Sequence, residues 1–194
     1  MFPVPGSLSE EAYGRACKVM PGGCSRRSLY DIRSYVHSGD GCRVRDVDGN
    51  VLLDGSNNFM VLIHGHRHPP TMAALEAQVR RGLSFGLPVL GEIELAEHLC
   101  GRVASVERVV FCNSGSEAVM HAMKAARALT QRPKIVKCEG LYHGTYDYAE
   151  VSNAAPVTPG TQDFPRSLPY GPYTLPSVIR DISVHRIQLG LALR

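Results

Sequence analysis

The residues with the clearest chemical potential are Asn113-Ser114-Gly115-Ser116-Glu117. They follow a short apolar run, Val109-Val110-Phe111-Cys112, and precede a segment whose apolar residues recur at helical spacing. A strand that turns through such residues into a helix leaves unpaired backbone N–H groups, and the positive end of the helix dipole, at the carboxyl end of a sheet. That geometry binds phosphate. Gly115 lets an anion approach the backbone, and the hydroxyls of Ser114 and Ser116 can donate to its oxygens. Ser114 and Glu117 also have the spacing of a capping box, so by itself the pattern fits plain helix capping as well.

A second cluster, Tyr142-His143-Gly144, follows the next predicted strand, which begins at Ile135-Val136. Adjacent strand ends in an open parallel sheet share one crevice. There Tyr142 could lay its ring on a flat aromatic cofactor, and His143 could donate to that cofactor or to a substrate. A tyrosine after a strand is also commonly a half-buried packing residue. A third set, His64, His66 and His68, alternates after Met60-Val61-Leu62-Ile63. On a strand these three would face one way and could hold zinc, which suggests a metal-dependent hydrolase as an alternative.

The elements that must position these residues follow from periodicity. A helix is expected over residues 9–19, capped by Ser7 with Glu10 and ended by Pro21-Gly22-Gly23. Cys42, Val44, Val51 and Leu53 alternate around Asp48-Gly49-Asn50, the pattern of a hairpin. From Pro69 the period lengthens, with Met72, Leu75 and Val79 on one stripe and Gly82 as terminator. Another helix is expected over 92–103, where Ile93, Ala96, Leu99, Cys100 and Val103 share a face. Val109–Cys112, the helix carrying Ala118, Val119, Ala122, Met123, Ala126 and Leu129, and the strand at Ile135-Val136 then form a right-handed βαβ unit. Residues 152–176 are rich in Pro, Gly, Ser and Thr and are expected to be a long mobile loop. The tail from Ser177 regains apolar alternation at Ile187, Leu189, Leu191 and Leu193, suggesting a strand that closes no domain.

Composition narrows the class. The 194 residues are 44% hydrophobic and 20% charged, as in a globular chain, and no apolar run approaches bilayer length. The N-terminus lacks the basic start and apolar stretch of a secretory signal, so a cytoplasmic location is expected. The six cysteines form no CxxC pair, which argues against a zinc knuckle or redox dithiol. The net charge of +3 comes mainly from scattered arginines, which form no stripe suited to nucleic acid. Neither nucleic acid nor membrane is an expected partner.

Further motifs join these clusters: Met20-Pro21-Gly22-Gly23, Asp46-Val47-Asp48-Gly49-Asn50, Gly65-His66-Arg67-His68-Pro69 and Glu139-Gly140-Leu141-Tyr142-His143-Gly144. From about Ser9 to Ser152 the chain resembles the class III aminotransferases of pyridoxal-phosphate fold type I. The Pro-Gly-Gly opening and Gly82-Leu83-Ser84-Phe85-Gly86 look most like the glutamate-1-semialdehyde aminomutase branch. Arg67, Cys138 and Leu141 depart from the family's usual residues.

The resemblance implies an α/β fold: a small N-terminal α+β segment (1–65), then the first part of a three-layer αβα large domain with a mostly parallel sheet (66–176), and an unaligned tail (177–194). It implies pyridoxal 5'-phosphate as cofactor, with Ser114, Gly115 and Ser116 at its phosphate and Tyr142, beside His143, on its ring. The stretch after Tyr148 would correspond to the aminomutases' gating loop. Substrates would be small amino acids or amino-aldehydes, and the complete enzyme a homodimer. His66 and His68 fall in the family's GHxHP turn, where their role is structural.

Amino-group transfer also needs a lysine that condenses with the cofactor and a carboxylate against its ring nitrogen. The family carries both further along the chain. Lys18, Lys124, Lys134 and Lys137 lack that context, and each has an ordinary solvated or capping explanation; Asp147 and Asp181 do not match the carboxylate. No catalytic residue is therefore assigned, and the chain alone is expected to be inactive. A non-catalytic, truncated paralogue acting through dimer pairing is the alternative.

Overall fold

The structure, a computed structural model, describes residues 4–25, 34–153 and 165–185. It comprises two compact units, Met1–Val89 and Leu90–Arg194.

In the first unit, helix α1 (Leu8–Val19) starts where the sequence places its cap. Ser7 Oγ accepts from Glu10 N at 3.1 Å, and Gly6 N donates to Glu10 Oε2 at 2.6 Å. The Asp48 carboxylate, from the hairpin turn, also sits on this positive helix end. It accepts from Leu8 N at 2.7 Å and from the Ser9 hydroxyl. Strands β1 (Val36–Asp40), β2 (Arg43–Asp46) and β3 (Val51–Leu53) form an antiparallel sheet in that order. The β2–β3 turn requires Gly49, whose φ is 86°. Asp46 braces it by accepting from Asn50 N at 2.8 Å and Asn50 Nδ2 at 3.0 Å. The Asn50 side-chain hydrogen bond is the main reason the Asp46 carboxyl lies below its ordinary pKa.

The histidine segment departs from the expected strand. Asn57–Met60 forms a left-handed turn, with φ of 46–64° at its four residues. The chain then reaches His66, which makes an isolated antiparallel bridge with Gly41. Gly65 is confined there, since a Cβ would fall 2.5 Å from the Gly41 carbonyl oxygen. His66 Nε2 lies 2.7 Å from Asp54 Oδ2, and His68 Nδ1 lies 3.0 Å from Thr71 Oγ1. Each ring is thus engaged locally. Among the described residues, no group of three or more His, Cys, Asp or Glu side chains is placed to hold a metal ion. Helix α2 (Pro69–Val79) follows, and the chain reverses at Gly82, φ 108°.

The second unit begins with α3 (Leu90–Arg102). The expected strand at Val109–Cys112 is not formed. A ladder needs a neighbour, and among the described residues none pairs with this segment; Val110 is 86% exposed. The expected βαβ unit therefore lacks its first strand. Helix α4 (Gly115–Thr130) and β4 (Ile135–Cys138) lie where periodicity puts them. β4 pairs in parallel with β5 (Ile182–His185), Ile135 opposite Ile182 and Lys137 opposite Val184. Two short helices, α5 (Asp147–Glu150) and α6 (Pro176–Asp181), complete the unit.

Its core is Val151, Val178, Ile182 and Val184, with Ile135 and Tyr148 packed against it. The segment after Ser177 thus supplies most of this core, which the sequence did not suggest because a four-residue strand is too short to show a period. Ile187, Leu189, Leu191 and Leu193 lie outside the described residues, as does the middle of the expected loop. The end of that loop is tied down: Leu168 N donates to Ser152 Oγ at 2.9 Å, and Ser167 Oγ to Ile182 O at 2.7 Å. Among the described residues, no helix is long and apolar enough to cross a membrane.

Candidate cofactor site

The capping geometry at the start of α4 is complete. Ser114 Oγ accepts from Glu117 N at 3.2 Å, and Glu117 Oε2 accepts from Asn113 N at 2.7 Å. Capping and anion binding do not compete here. The cap serves the third N–H of the helix, leaving those of Gly115 and Ser116 directed outward at the positive helix end. No atom lies within 4 Å of where a Cβ on Gly115 would sit, so the space beside this backbone is open to a ligand.

The Tyr142-His143-Gly144 segment meets this helix start directly. Thr145 N donates to Ser116 Oγ at 3.1 Å. Gly144 is buried with φ 95°, and a Cβ there would fall 2.6 Å from Ser116 Oγ and 2.7 Å from Ser116 Cα. The Ser116 hydroxyl accepts from Thr145 and keeps its own proton to donate to an anion. A second tether reaches the far end of α4. The Arg127 guanidinium lies 4.2 Å from the Tyr148 ring centroid while its Nε donates to Pro133 O at 2.8 Å.

The five sequence-predicted residues differ in their surroundings. Ser114, Gly115 and Ser116 gather at the helix start. Tyr142 is 68% exposed, so its ring has a free face. His143 is half-buried, and its Nε2 is screened from solvent with no hydrogen-bond partner. Its pKa is lowered, chiefly by burial and secondarily by the charge of Lys137.

Lys137 corrects the sequence reading, which gave it an ordinary solvated or capping explanation. It is 5% exposed, and its Nζ donates to Val151 O at 2.6 Å, Ala149 O at 2.8 Å and Leu141 O at 3.4 Å. Burial lowers its pKa to about 8, against the raising effect of Cys138 and Glu150. The missed signal is strand alternation: Ile135 and Lys137 share the inward face while Val136 is 62% exposed.

An open helix N-terminus with a glycine, hydroxyls beside it and an exposed aromatic ring on the loop it touches suits a phosphorylated aromatic cofactor. The fold and this arrangement define part of a pyridoxal-phosphate-dependent transferase of fold type I. Residues 26–186 match the Aminotransferase class-III family, and the chain belongs to it. Enzymes of this family use pyridoxal 5'-phosphate.

Among similar proteins, glutamate-1-semialdehyde 2,1-aminomutase of Methanothermobacter thermautotrophicus is 43% identical over 159 residues, 78% of this chain and 38% of that protein. An omega-transaminase from Sphaerobacter thermophilus superposes with a TM-score of 0.89 at 43% identity, over 94% of this chain and 42% of that one. A transaminase with PLP bound gives a TM-score of 0.82 at 44% identity, over 91% and 40% of the respective chains. The chain thus spans about two fifths of the length of these relatives.

Proposed function

We propose that this chain is the phosphate- and ring-holding part of an enzyme that moves an amino group on a small amino acid or amino-aldehyde, between substrates or within one. The observation that carries the reading is the contact of Gly144 and Thr145 with Ser116, which joins the helix start to the loop bearing Tyr142.

Gly115, Ser116 and Ser114 would hold the phosphate of pyridoxal 5'-phosphate, and Tyr142 would face its ring. The cofactor supplies an electron sink for breaking bonds at the amino-bearing carbon. The chain's own residues bind and orient it: backbone N–H groups and the Ser116 hydroxyl neutralise the anion, and the ring lies against Tyr142. His143, half-buried in the same loop, is disfavoured as a cation by that burial. None of the four lysines occupies the family's catalytic context, so residues 1–194 alone bind cofactor without turnover.

The complete enzyme is proposed to be a cytoplasmic homodimer. The exposure of Ile63 (81%), Leu87 (80%) and Leu129 (86%) supports burial of these faces by further protein.

The test is a titration of the purified chain with pyridoxal 5'-phosphate, pyridoxal and inorganic phosphate. The reading expects phosphate to compete with the cofactor, unphosphorylated pyridoxal to bind far more weakly, and Ser116→Ala to weaken both anionic ligands. Cofactor binding indifferent to phosphate and to Ser116 would overturn it.

A further inference from the structure

A buried ammonium is costly unless its protons are taken up. Lys137 meets that condition with three carbonyl oxygens for three N–H donors. Leu141 O comes from just before Tyr142, and Ala149 O and Val151 O from the end of α5 and just beyond it. Between these acceptors runs the segment carrying Tyr142, His143, Gly144 and Thr145. Its start and end are therefore drawn to one point on β4, while its middle rests on Ser116 of α4.

From this geometry we infer that Lys137 is a positioning residue for the cofactor ring: it fastens both ends of the 141–151 loop to β4 and so sets Tyr142 relative to the phosphate cradle. The inference rests on the cofactor reading above and assigns a task to a residue that does not itself touch the ligand. Buried apolar packing alone would not need a cation here. A methionine of similar length would fill the space, but would leave three carbonyls without a donor.

The N–H donors of Lys137 are integral to the arrangement. The protonated amine has a hydrogen for each carbonyl, whereas the neutral amine has one too few. The titratable groups around it are Cys138 beside it on β4, His143 in the loop and Glu150 of α5, whose Oε2 accepts from Tyr173 OH at 3.4 Å. β5 presents Val184 opposite it. Burial holds the lysine pKa at about 8, below that of a solvated lysine, so opening the loop takes up a proton and the closed loop gains stability as the pH rises from about 8 towards the ordinary lysine value.

The experiment compares the chain with Lys137→Met and Lys137→Arg. It measures hydrogen exchange across residues 141–151 and α4 without ligand, and affinities for pyridoxal 5'-phosphate and for inorganic phosphate. Lys137→Met is expected to lose protection in 141–151 but not in α4. It should weaken pyridoxal 5'-phosphate about ten-fold, the worth of one hydrogen bond to a charged group, while inorganic phosphate changes less than about two-fold. Lys137→Arg, which keeps the donors, should restore protection in 141–151.

Wild-type exchange in Lys137→Met, or equal loss of both ligands, would overturn the inference. If Lys137→Met does not fold, the parent chain decides the same point: protection in 141–151 should rise relative to α4 as the pH is raised from about 8 towards about 10, and a fall or no change would overturn the inference. If the parent chain has no affinity for pyridoxal 5'-phosphate, the cofactor reading fails, while the exchange data still judge the loop tether.

Discussion

Gly144 lies so close to Ser116 that a Cβ on the glycine would sit 2.6 Å from the serine Oγ. This approach joins two motifs 28 positions apart, and with a φ of 95° it makes Gly144 the most constrained residue of the candidate site. Gly144→Ala should destabilise the second unit by about 1–3 kcal/mol, from strain plus displacement of the loop. Urea denaturation measures this, and an unchanged midpoint would contradict the packing described.

Gly115 provides the contrast. Its φ is not positive and open space surrounds its missing Cβ, so Gly115→Ala should leave stability within about 1 kcal/mol. It should nevertheless weaken inorganic phosphate binding, because the new methyl group stands in the space the anion needs. Calorimetric titration alongside denaturation separates the two effects.

Tyr142 is expected to act through its ring alone. Tyr142→Phe should retain cofactor affinity within about two-fold, whereas Tyr142→Ala should lose about five- to ten-fold, the worth of an aromatic stacking pair. Neither change should alter stability much, since the side chain is 68% exposed. Quenching of cofactor fluorescence reports the affinity.

Asp54 makes acid stability of the first unit a test of the His66 contact. Its carboxyl lies below the ordinary pKa, first because of the hydrogen bond from His66 and then that from Asn57 N. A depressed carboxylate contributes stability that is present above its unfolded pKa, roughly 4, and lost as pH falls through its folded value. Denaturation midpoints should therefore fall below about pH 4, and Asp54→Asn should flatten that dependence. An identical acid profile in the variant would refute the contribution.

Borohydride trapping checks the absence of turnover. With pyridoxal 5'-phosphate bound, the 194-residue chain should yield no stoichiometric reduced adduct on Lys18, Lys124, Lys134 or Lys137, by mass spectrometry of its peptides. A single stoichiometric adduct would identify a lysine that the reading leaves out.

Local rules made much of this protein legible from its sequence. The caps at Ser7 and Ser114, the hairpin at Gly49, the helices after Pro69 and Ser114 and the strand at Ile135 depend on residues within a few positions of one another, and each formed as expected. That Gly115 and Ser116 open a helix was legible for the same reason.

What required the tertiary structure was every feature depending on a distant partner. Val109–Cys112 has strand composition but no neighbour to pair with among the described residues, and His64, His66 and His68 are taken up by local turns and by Asp54 instead of lining a strand face. Val178, Ile182 and Val184 form a core only because β5 pairs with β4. Lys137 is a lysine in a short strand until folding brings three carbonyls to its amine. The sequence by itself determined which residues could bind a phosphate and an aromatic ring. Folding decided that the loop carrying Tyr142 meets the helix start, because the contact between Ser116 and Gly144, and the convergence of three carbonyls on Lys137, are packing events that no local pattern encodes.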